Sequence, residues 1–561
     1  MAIKKHEEIR LNVKPIFLTL YHEYVFEGPC RFGEGIQLEK EFDLHMAAEK
    51  FKGWYAQLQA AMPENVVNLL EPVKVERDEN FLTKDEMIDK LAEGSEEVDL
   101  YFIGYASRPY DLALEFAQRV GKPCAITQAC CASAITSAEF LARGLEFYSF
   151  EDWEDATEYM TVLRARKVMK DSKILAATRM TSTVSVSAPD SIIDPEKITE
   201  RFGTRIRYVS AHELLDQISY DDPMENYCTP GRKGLNLTAE DEKIIDKETD
   251  ELIAGAEECE MTREMVKKSV EANYGIQKFL DAYECNCFTA PCPDLCATRR
   301  LNQKQFTMCL NHSLNNEQGI PSACEYDLGA VVSKLMLQAI GRRPSYMGNC
   351  FTSPVRHGVR AQLPKALFFT PEHVDQKMEE LGDIPNVVLT FHSVPNRRWE
   401  SFDEDFRPYA IRSFARSGFG ATLRYKFEED AGQTITMCRV DPNVEKLFVA
   451  KGKIITSMGY DQTNCSMGVF FQVKDSKDFF KKQAAIGNHM PLIYGDFEEQ
   501  VSSSPSSMTC STVTSKSRSS SSASCSVWKS SRRKSSQREG VSRAERQARG
   551  AAIDVAGLFF P

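Results

Sequence analysis

Segments typical of strands and helices alternate through the first part of this 561-residue chain. A short apolar run at 98–104 ends in glycine, apolar residues recur at helical spacing over 110–120, and a second apolar run follows at 123–127. A strand, a helix and a strand in this order form a βαβ unit, and such units build parallel sheets. The pattern therefore predicts an α/β fold.

A second series of this kind follows, and after it the pattern changes. Strand-like runs at 172–178 and 204–210 precede acidic helices between 238 and 281, whose apolar stripes we expect to pack on a second sheet. Past Cys350, short apolar runs alternate with Gly, Asp and Asn turns, which is typical of antiparallel sheets. These runs are 366–370, 387–391, 434–440 and 467–473. We predict an N-terminal α/β domain over 1–170, a second over 171–349, and a β-rich C-terminal domain over 350–500.

The composition changes abruptly at residue 501. Residues 501–561 contain nineteen Ser and ten Lys or Arg against three Asp or Glu. A segment with so few apolar residues cannot bury enough surface to offset the entropy of ordering it. We expect a disordered basic tail, which is either a regulatory or RNA-binding segment or sequence translated from another reading frame.

Charge and cysteine content restrict the class of protein. The net charge of −12 disfavours nucleic-acid binding by the folded core. No apolar run approaches the roughly 20 residues that span a bilayer, and the charged start MAIKKHEEIR does not resemble a secretory signal. The cysteine content, 17 in 561 residues, is far below the content of about 10% that marks a disulfide scaffold. We expect a reduced, cytoplasmic protein that does not bind membranes.

The segment 319–349 contains the clearest candidate site. It is predicted as a strand, a helix capped by Asp327, and a second strand. Glu325 and Asn349 would then lie beyond the carboxyl ends of two parallel strands, where open α/β sheets bind ligands. Two oxygen donors at that edge suit a hard divalent cation. The alternative is that Glu325 is a second capping acid and Asn349 a turn residue.

Two histidines follow apolar strands or turns further along the chain. His392 ends the run 387–391, and His489 stands between a turn and another apolar run. A neutral imidazole can complete an oxygen-rich metal site, and either form of the ring can hydrogen-bond a sugar hydroxyl. The alternative is a structural role, which strand-end histidines often have.

Five motifs together resemble one known group of proteins. They are RFGTRIRYVSAHEL (201–214), ACEYDLGA (323–330), GRRPSYMGN (341–349), FHSVP (391–395) and GNHMPLIYGD (487–496). The chain resembles the L-fucose isomerase / L-arabinose isomerase-like superfamily, and within it the fucose isomerase-like proteins, over residues 10–498. The resemblance implies two Rossmann-like domains, a barrel-like C-terminal domain and a homo-oligomer, with the site in a cleft between domains.

The same resemblance implies an activity and a set of site residues. It implies an aldose–ketose isomerase that acts on a pentose, hexose or deoxysugar through an enediol, with a divalent cation, manganese in most members. The cation would be held by Glu325, by Asn349 at the position of an Asp, and by His489, and His392 would line the cleft and contact the sugar. Glu325 and Asn349 would form the catalytic pair.

Asn349 is a departure from the pattern of that superfamily. Its amide can offer an oxygen to a cation, but it cannot take up a proton. Glu325 would then act without a second acid, or Asp327 would turn inward to replace it. The alternative function is a catalytically altered sugar-binding or regulatory protein on the same scaffold.

Four cysteines in twelve residues are the remaining feature. Cys285, Cys287, Cys292 and Cys296, with Cys309 downstream, could hold zinc or an iron–sulfur cluster. Their spacing fits neither a zinc ribbon nor a ferredoxin motif. The alternative is a proline-containing loop near the cleft whose thiols are reduced.

Overall fold

A computed structural model describes residues 5–22, 40–78, 83–106, 109–127, 131–178, 192, 194–221, 234–352, 371–503 and 511–514. The strands are β1 (Leu11–Leu20), β2 (Val67–Leu69), β3 (Val73–Arg77), β4 (Leu100–Ala106), β5 (Cys124–Thr127), β6 (Phe147–Phe150), β7 (Lys173–Thr178), β8 (Arg205–Ser210), β9 (Glu258–Cys259), β10 (Cys287–Thr289), β11 (Ser322–Ala323), β12 (Tyr346–Thr352), β13 (Val387–Phe391), β14 (Ala410–Ser413), β15 (Ala421–Arg424), β16 (Thr434–Val440), β17 (Lys446–Met458), β18 (Gly468–Val473), β19 (His489–Tyr494) and β20 (Ser511–Thr514).

The helices in these residues are α1 (Lys40–Ala61), α2 (Asp85–Ala92), α3 (Tyr110–Val120), α4 (Cys131–Ala142), α5 (Trp153–Asp171), α6 (Glu196–Phe202), α7 (Ala211–Gln217), α8 (Ala239–Ala254), α9 (Arg263–Ala282), α10 (Cys292–Ala297), α11 (Arg300–Lys304), α12 (Cys309–Glu317), α13 (Leu328–Gly341), α14 (Pro371–Leu381), α15 (Ser476–Gln483) and α16 (Glu498–Ser503). Short 3-10 turns lie at His6–Glu8, Ser95–Glu97 and Phe427–Asp430.

Two parallel sheets form the first half of the fold, as the alternating pattern predicts. In the first sheet β1 pairs with β2, β3 and β4, and β4 continues through β5 to β6. The predicted unit of β4, α3 and β5 is confirmed, and Gly121 ends α3 in a left-handed conformation (φ 59°) that glycine adopts without strain. The second sheet has the order β11-β10-β7-β8, again with parallel pairs.

The acidic helices divide between two sheets. Helix α9 packs on the second parallel sheet, with Ile276 and Phe279 in one cluster with Leu175 of β7. Helix α8 packs elsewhere, because Ile245 and Leu252 cluster with residues of β14 and β15. Those two strands and β9 form a separate three-stranded sheet. The prediction that both helices cover the second sheet is therefore wrong for α8.

The predicted β-rich C-terminal region forms a closed barrel. Antiparallel pairs run in the order β16-β19-β12-β13-β18-β17, and β17 pairs back to β16. The predicted strands at 387–391, 434–440 and 467–473 are β13, β16 and β18, whereas 366–370 lies outside the described residues. Closure leaves few free strand edges, because each barrel strand has a neighbour on both sides.

Strand β12 joins the barrel and not the parallel sheet that contains β11. It pairs antiparallel with β13 and β19, so Asn349 lies within a barrel strand. The expectation that Glu325 and Asn349 follow two parallel strands of one sheet is therefore wrong. A short apolar strand is compatible with either kind of sheet, and strand spacing alone does not decide between them. The sheet of residues 350–500 thus begins before the boundary predicted at 349–350.

Two described elements lie partly or wholly within the predicted tail at 501–561. Helix α16 continues to Ser503, and β20 pairs in parallel with the first residues of β17. The expectation of a structureless segment is therefore wrong for 511–514. Residues 504–510 and 515–561 lie outside the described residues.

Helix α13 is the central element of the core. All its residues except Gly341 are buried, and its apolar side chains pack against α5, β16 and β19. Asp327 caps it, as predicted, by accepting a hydrogen bond from the amide of Ala330 at 2.8 Å. Burial lowers the pKa of its one lysine, Lys334, to about 7, against the opposing effects of Cys324 and Asp327. Because α13 touches several layers, it fixes the position of the turn that precedes it.

The N-terminal segment packs against the same helix through His6. Its Nε2 lies 2.9 Å from Oε1 of Gln338, and the Arg164 guanidinium donates to its carbonyl oxygen at 2.6 Å. Burial, together with the charge of Arg164, lowers the pKa of His6 to about 3. The folded protein therefore holds this imidazole neutral at pH values where the unfolded chain protonates it.

This difference predicts an acid-dependent loss of stability. Below the unfolded pKa of about 6.5 the unfolded chain binds an extra proton, so the free energy of unfolding falls as the pH drops towards 3. His6→Gln should remove up to about 3 kcal/mol of that fall between pH 6.5 and pH 4, as measured by urea unfolding. His45→Gln, which removes an exposed side chain of α1, is the control for the substitution itself and should change the free energy of unfolding by less than about 0.5 kcal/mol. Parallel profiles for wild type and His6→Gln would contradict the prediction.

Candidate metal centre

Glu325 lies in the turn between β11 and α13. The amide of Tyr326 donates to the carbonyl of Ala290 at 2.9 Å, and that of Asp327 to the carbonyl of Cys324 at 3.1 Å. Glu325 (φ 63°) and Tyr326 (φ 61°) both have left-handed backbones, which cost on the order of 1 kcal/mol or more each. The surrounding hydrogen bonds hold this conformation, and the Glu325 side chain stays 28% exposed.

His489 begins β19 and is oriented by a buried carboxylate. Its Nδ1 donates to Oδ2 of Asp327 at 2.8 Å, so in the neutral ring the lone pair of Nε2 is turned towards Glu325. The Arg439 guanidinium donates to both Asp327 oxygens, at 2.8 and 3.1 Å, and to the His489 carbonyl at 2.9 Å. Gly487 (φ 143°) admits this guanidinium, because a Cβ there would lie 3.0 Å from its Cζ.

His392 directly follows β13, on the other side of β12 from β19. Its backbone is fixed by the Tyr346 hydroxyl, which accepts from the His392 amide and donates to its carbonyl, both at 2.8 Å. The His392 amide also donates to the carbonyl of Met467 at 2.9 Å. Its Nδ1 lies 3.9 Å from the sulfur of Cys465. The ring is thus held with Nε2 on the side of Glu325.

The side chains of Glu325, His392 and His489 lie close together. Nε2 of His392 lies 3.7 Å from Oε1 of Glu325, and Nε2 of His489 lies 3.6 Å from Oε2. One ligand atom from each residue lies within 4.8 Å of the others. These separations exceed hydrogen-bond lengths and approach the roughly 3.0–3.5 Å between ligands that share one ion at about 2.1 Å. Two imidazoles and a carboxylate fit a divalent transition-metal ion.

Charge in this cluster is set by the neighbouring groups. Burial raises the pKa of Glu325, but His392 and His489 outweigh it and the net shift is downward. Burial lowers the pKa of His392, but Cys465 and Glu325 outweigh it and raise that pKa to about 10. Burial also opposes ionisation of Asp327, whose pKa Arg439 and His489 nevertheless lower to about 2. Both acids are therefore carboxylates at neutral pH.

Asn349 occupies a neighbouring position on β12. It stands opposite His489 in one strand pair and opposite Phe391 in the other, so its side chain leaves the sheet on the same face as theirs. Its side-chain amide oxygen accepts a hydrogen bond from the side-chain amide nitrogen of Asn488. The structure thus brings Glu325, His392 and His489 together, whereas Asn349 is hydrogen-bonded to Asn488. The roles of Asn349 as a metal ligand and in catalysis stay predictions.

A second group of potential ligands adjoins the first. Nε2 of His312 lies 3.8 Å from the sulfur of Cys292, and ligand atoms of Cys292, His312 and Cys324 lie within 4.8 Å of one another. The Cys324 thiol donates to Cys292 and lowers the pKa of that thiol, while burial and the same hydrogen bond raise the pKa of Cys324. Of the four thiols in 285–296, this group includes Cys292 alone.

Sequence reasoning missed His312, Cys324 and Arg439 as parts of these groups. The sequence of α12, CLNHSLNNE, could have indicated a role for His312, because it is mostly polar and lies between apolar segments. All nine of its residues are buried, and a polar helix in the core indicates a hydrogen-bond network. No comparable pattern marks Arg439, which lies in an otherwise ordinary apolar strand.

Comparison with known proteins does not assign this chain to a family. The sequence matches no protein-family model, and none of the curated proteins matches it. Within the part of the chain that the structure describes, no helix combines the length and the apolar composition that crossing a bilayer requires.

Proposed function

We propose that the protein is a cytoplasmic, divalent-metal-dependent aldose–ketose isomerase whose substrate is a pentose, hexose or deoxysugar. The observation that supports this most directly is the convergence of Glu325, His392 and His489 from three separate segments. The proposal also rests on the motif resemblance given above. It includes correspondence of the two parallel-sheet regions to the Rossmann-like domains of that superfamily, and assembly as a homo-oligomer.

Glu325, His392 and His489 are the ligands in this proposal, and Mn²⁺ is the cation. Asp327 fixes the ring of His489 as a carboxylate behind a ligating histidine, which keeps Nε2 available to the cation. His392 is the third ligand once the cation displaces the proton from its Nε2, and this role is in addition to the sugar contact that the resemblance implies. The exposed fraction of Glu325 leaves one side of the cluster open to a small molecule.

The chemistry follows from the carboxylate and its surroundings. Isomerisation moves a proton between C1 and C2 of the open-chain sugar, and the ionised Glu325 carboxylate is the base placed to take it up and return it. The bound cation supplies positive charge that stabilises the negative charge developing on O1 and O2. The buried histidines and the Asp327–Arg439 pair hold the geometry and limit water around the base.

The proposal is tested with the full chain, Mn²⁺ and a panel of aldoses in D₂O. Proton transfer at C2 should exchange that hydrogen for deuterium and produce the matching ketose, both visible by NMR. Exchange should disappear when EDTA removes the cation and return when Mn²⁺ is restored. Binding of Mn²⁺ with neither exchange nor ketose formation in any aldose would overturn the isomerase proposal.

Asn349→Asp tests whether this position faces the cation. A carboxylate near the site adds a negative charge, so Mn²⁺ should bind at least about tenfold more tightly. Asn488→Asp, at the hydrogen-bond partner of Asn349 that directly precedes β19, serves as the matched control and should have a smaller effect. An unchanged Mn²⁺ affinity in Asn349→Asp would show that Asn349 serves only to hold Asn488.

One observation favours a second function. Asp327 is engaged in its ion pair with Arg439, and Asn349 carries an amide that is hydrogen-bonded to Asn488, so neither of these residues is placed to act as a second acid for Glu325. The alternative is a sugar-binding or regulatory protein that performs no turnover. Calorimetry that shows sugar binding independent of Mn²⁺, without deuterium exchange, would favour this alternative.

A further inference from the structure

We infer that Cys292, His312 and Cys324 form a second metal site, which binds one zinc ion next to the turn that carries Glu325. This site is independent of the proposed isomerase activity. Its donors are two sulfurs and one imidazole nitrogen, whereas the first site has one carboxylate and two imidazoles. Thiolate donors favour zinc over the hard cations that carboxylates prefer.

The distances are close to those of a zinc site. Two thiolates at about 2.3 Å and an imidazole at about 2.05 Å from zinc lie roughly 3.5–3.8 Å from one another in a tetrahedron. The observed separation of the Cys292 sulfur and the His312 Nε2 is 3.8 Å, and no pair in the group exceeds 4.8 Å. Side-chain rotations that move each donor atom by less than about 1 Å would bring the three donors to these separations.

The imidazole of His312 is oriented from behind, as ligating histidines are. Its Nδ1 lies 2.7 Å from the hydroxyl of Ser322, and with the proton on Nδ1 the lone pair of Nε2 faces Cys292. Ser322 is itself fixed, because Asn316 accepts from its amide at 3.0 Å and donates to its carbonyl at 3.0 Å. The buried polar residues of α12 therefore hold one ligand in place.

Burial and charge are also consistent with a bound zinc ion. His312 and Cys324 are 0% and 2% exposed, whereas Cys292 is half-buried, so a water molecule can supply the fourth ligand of a tetrahedral ion on that side. Binding converts both thiols to thiolates and releases two protons to solvent, and the two negative charges neutralise Zn²⁺. The backbone amide of Glu325 donates to the Cys292 sulfur. The ion would therefore fix the backbone between the two sites through adjacent residues.

The other thiols of the 285–296 run have different surroundings. Cys285 and Cys287 are buried in two different apolar clusters on either side of the second sheet, and Cys296 is exposed. A thiol buried among apolar side chains acts as a small hydrophobic residue. The run is thus not one four-cysteine site, and its contribution to metal binding is Cys292.

The test uses the full chain, purified under reducing conditions, with zinc measured by mass spectrometry in excess Mn²⁺ to fill the first site. We expect about one zinc per chain in the wild type and in Glu325→Gln, and at least a tenfold loss in Cys292→Ala and Cys324→Ala. Cys285→Ala, a buried thiol of the same run, is the matched control and should retain zinc. Replacement of zinc by Co²⁺ should give the thiolate-to-cobalt absorption of a tetrahedral site.

Several results would overturn the inference. A wild-type chain without zinc and without the cobalt–thiolate absorption would do so even if the variants fail to fold. Zinc retained in both Cys292→Ala and Cys324→Ala would place the ion elsewhere. A disulfide between Cys292 and Cys324 in protein purified under reducing conditions would make the pair a redox element instead of a ligand set.

Discussion

The Glu325→Gln variant should lose isomerase activity while keeping the fold. Glutamine has the same shape but cannot take up a proton at neutral pH, and general-base catalysis contributes about a hundredfold to ten-thousandfold to rate. Loss of the negative charge also weakens Mn²⁺ binding. We expect turnover with the best aldose to fall at least about a thousandfold, as measured by deuterium exchange at saturating Mn²⁺.

Glu284→Gln is the matched control for this variant. Glu284 is also a glutamate with a left-handed backbone (φ 53°), but it lies at the end of α9 in an exposed ion pair with Lys173. Its activity should equal that of the wild type. If Glu325→Gln retains activity within about tenfold at saturating Mn²⁺, Glu325 is not the base.

The Asp327→Asn variant should show the largest loss of stability. Asparagine can still cap α13, but it leaves the Arg439 guanidinium, 1% exposed, without its counter-charge. Breaking a buried pair from one side costs about 3–5 kcal/mol, so the midpoint of urea unfolding should fall markedly. The same change removes the carboxylate behind His489 and should weaken Mn²⁺ binding by about tenfold to a hundredfold.

Two further variants separate these effects. Asp475→Asn changes the exposed cap of α15, which accepts amide hydrogen bonds but has no buried arginine, and should alter stability by less than about 0.5 kcal/mol. Adding Arg439→Met to Asp327→Asn removes the unpaired charge and should recover part of the lost stability. Stability that is equal in Asp327→Asn and Asp475→Asn would show that the buried pair contributes little.

The parallel sheets could be predicted because their signals are local. Alternating apolar runs and amphipathic helices over 98–127 specify a βαβ unit without reference to distant segments. The strand β12 could not be assigned this way, because its partners β13 and β19 follow 35 residues or more later in the chain. Which sheet a short apolar strand joins is decided by such distant pairing.

The site was predicted only in part, because its residues come together from distant segments of the chain. Glu325 and His489 were found through motifs, and their convergence depends on contact between the barrel and the turn before α13. The prediction placed Asn349 next to Glu325 at the edge of one sheet. In the structure the side chain of His392 lies next to that of Glu325. Arg439 and Ser322 act through hydrogen bonds to other site residues, and a role of that kind leaves no trace in residue spacing.

The left-handed backbone at Glu325 and Tyr326 limits what substitutions at these positions can reveal. Only glycine, asparagine and aspartate adopt this conformation readily, and β-branched residues are strongly disfavoured. A saturation library would therefore rank variants partly by their tolerance of the turn and only partly by their chemistry. Mutational scores from such a library need a folding readout for each variant before any of them is assigned to catalysis.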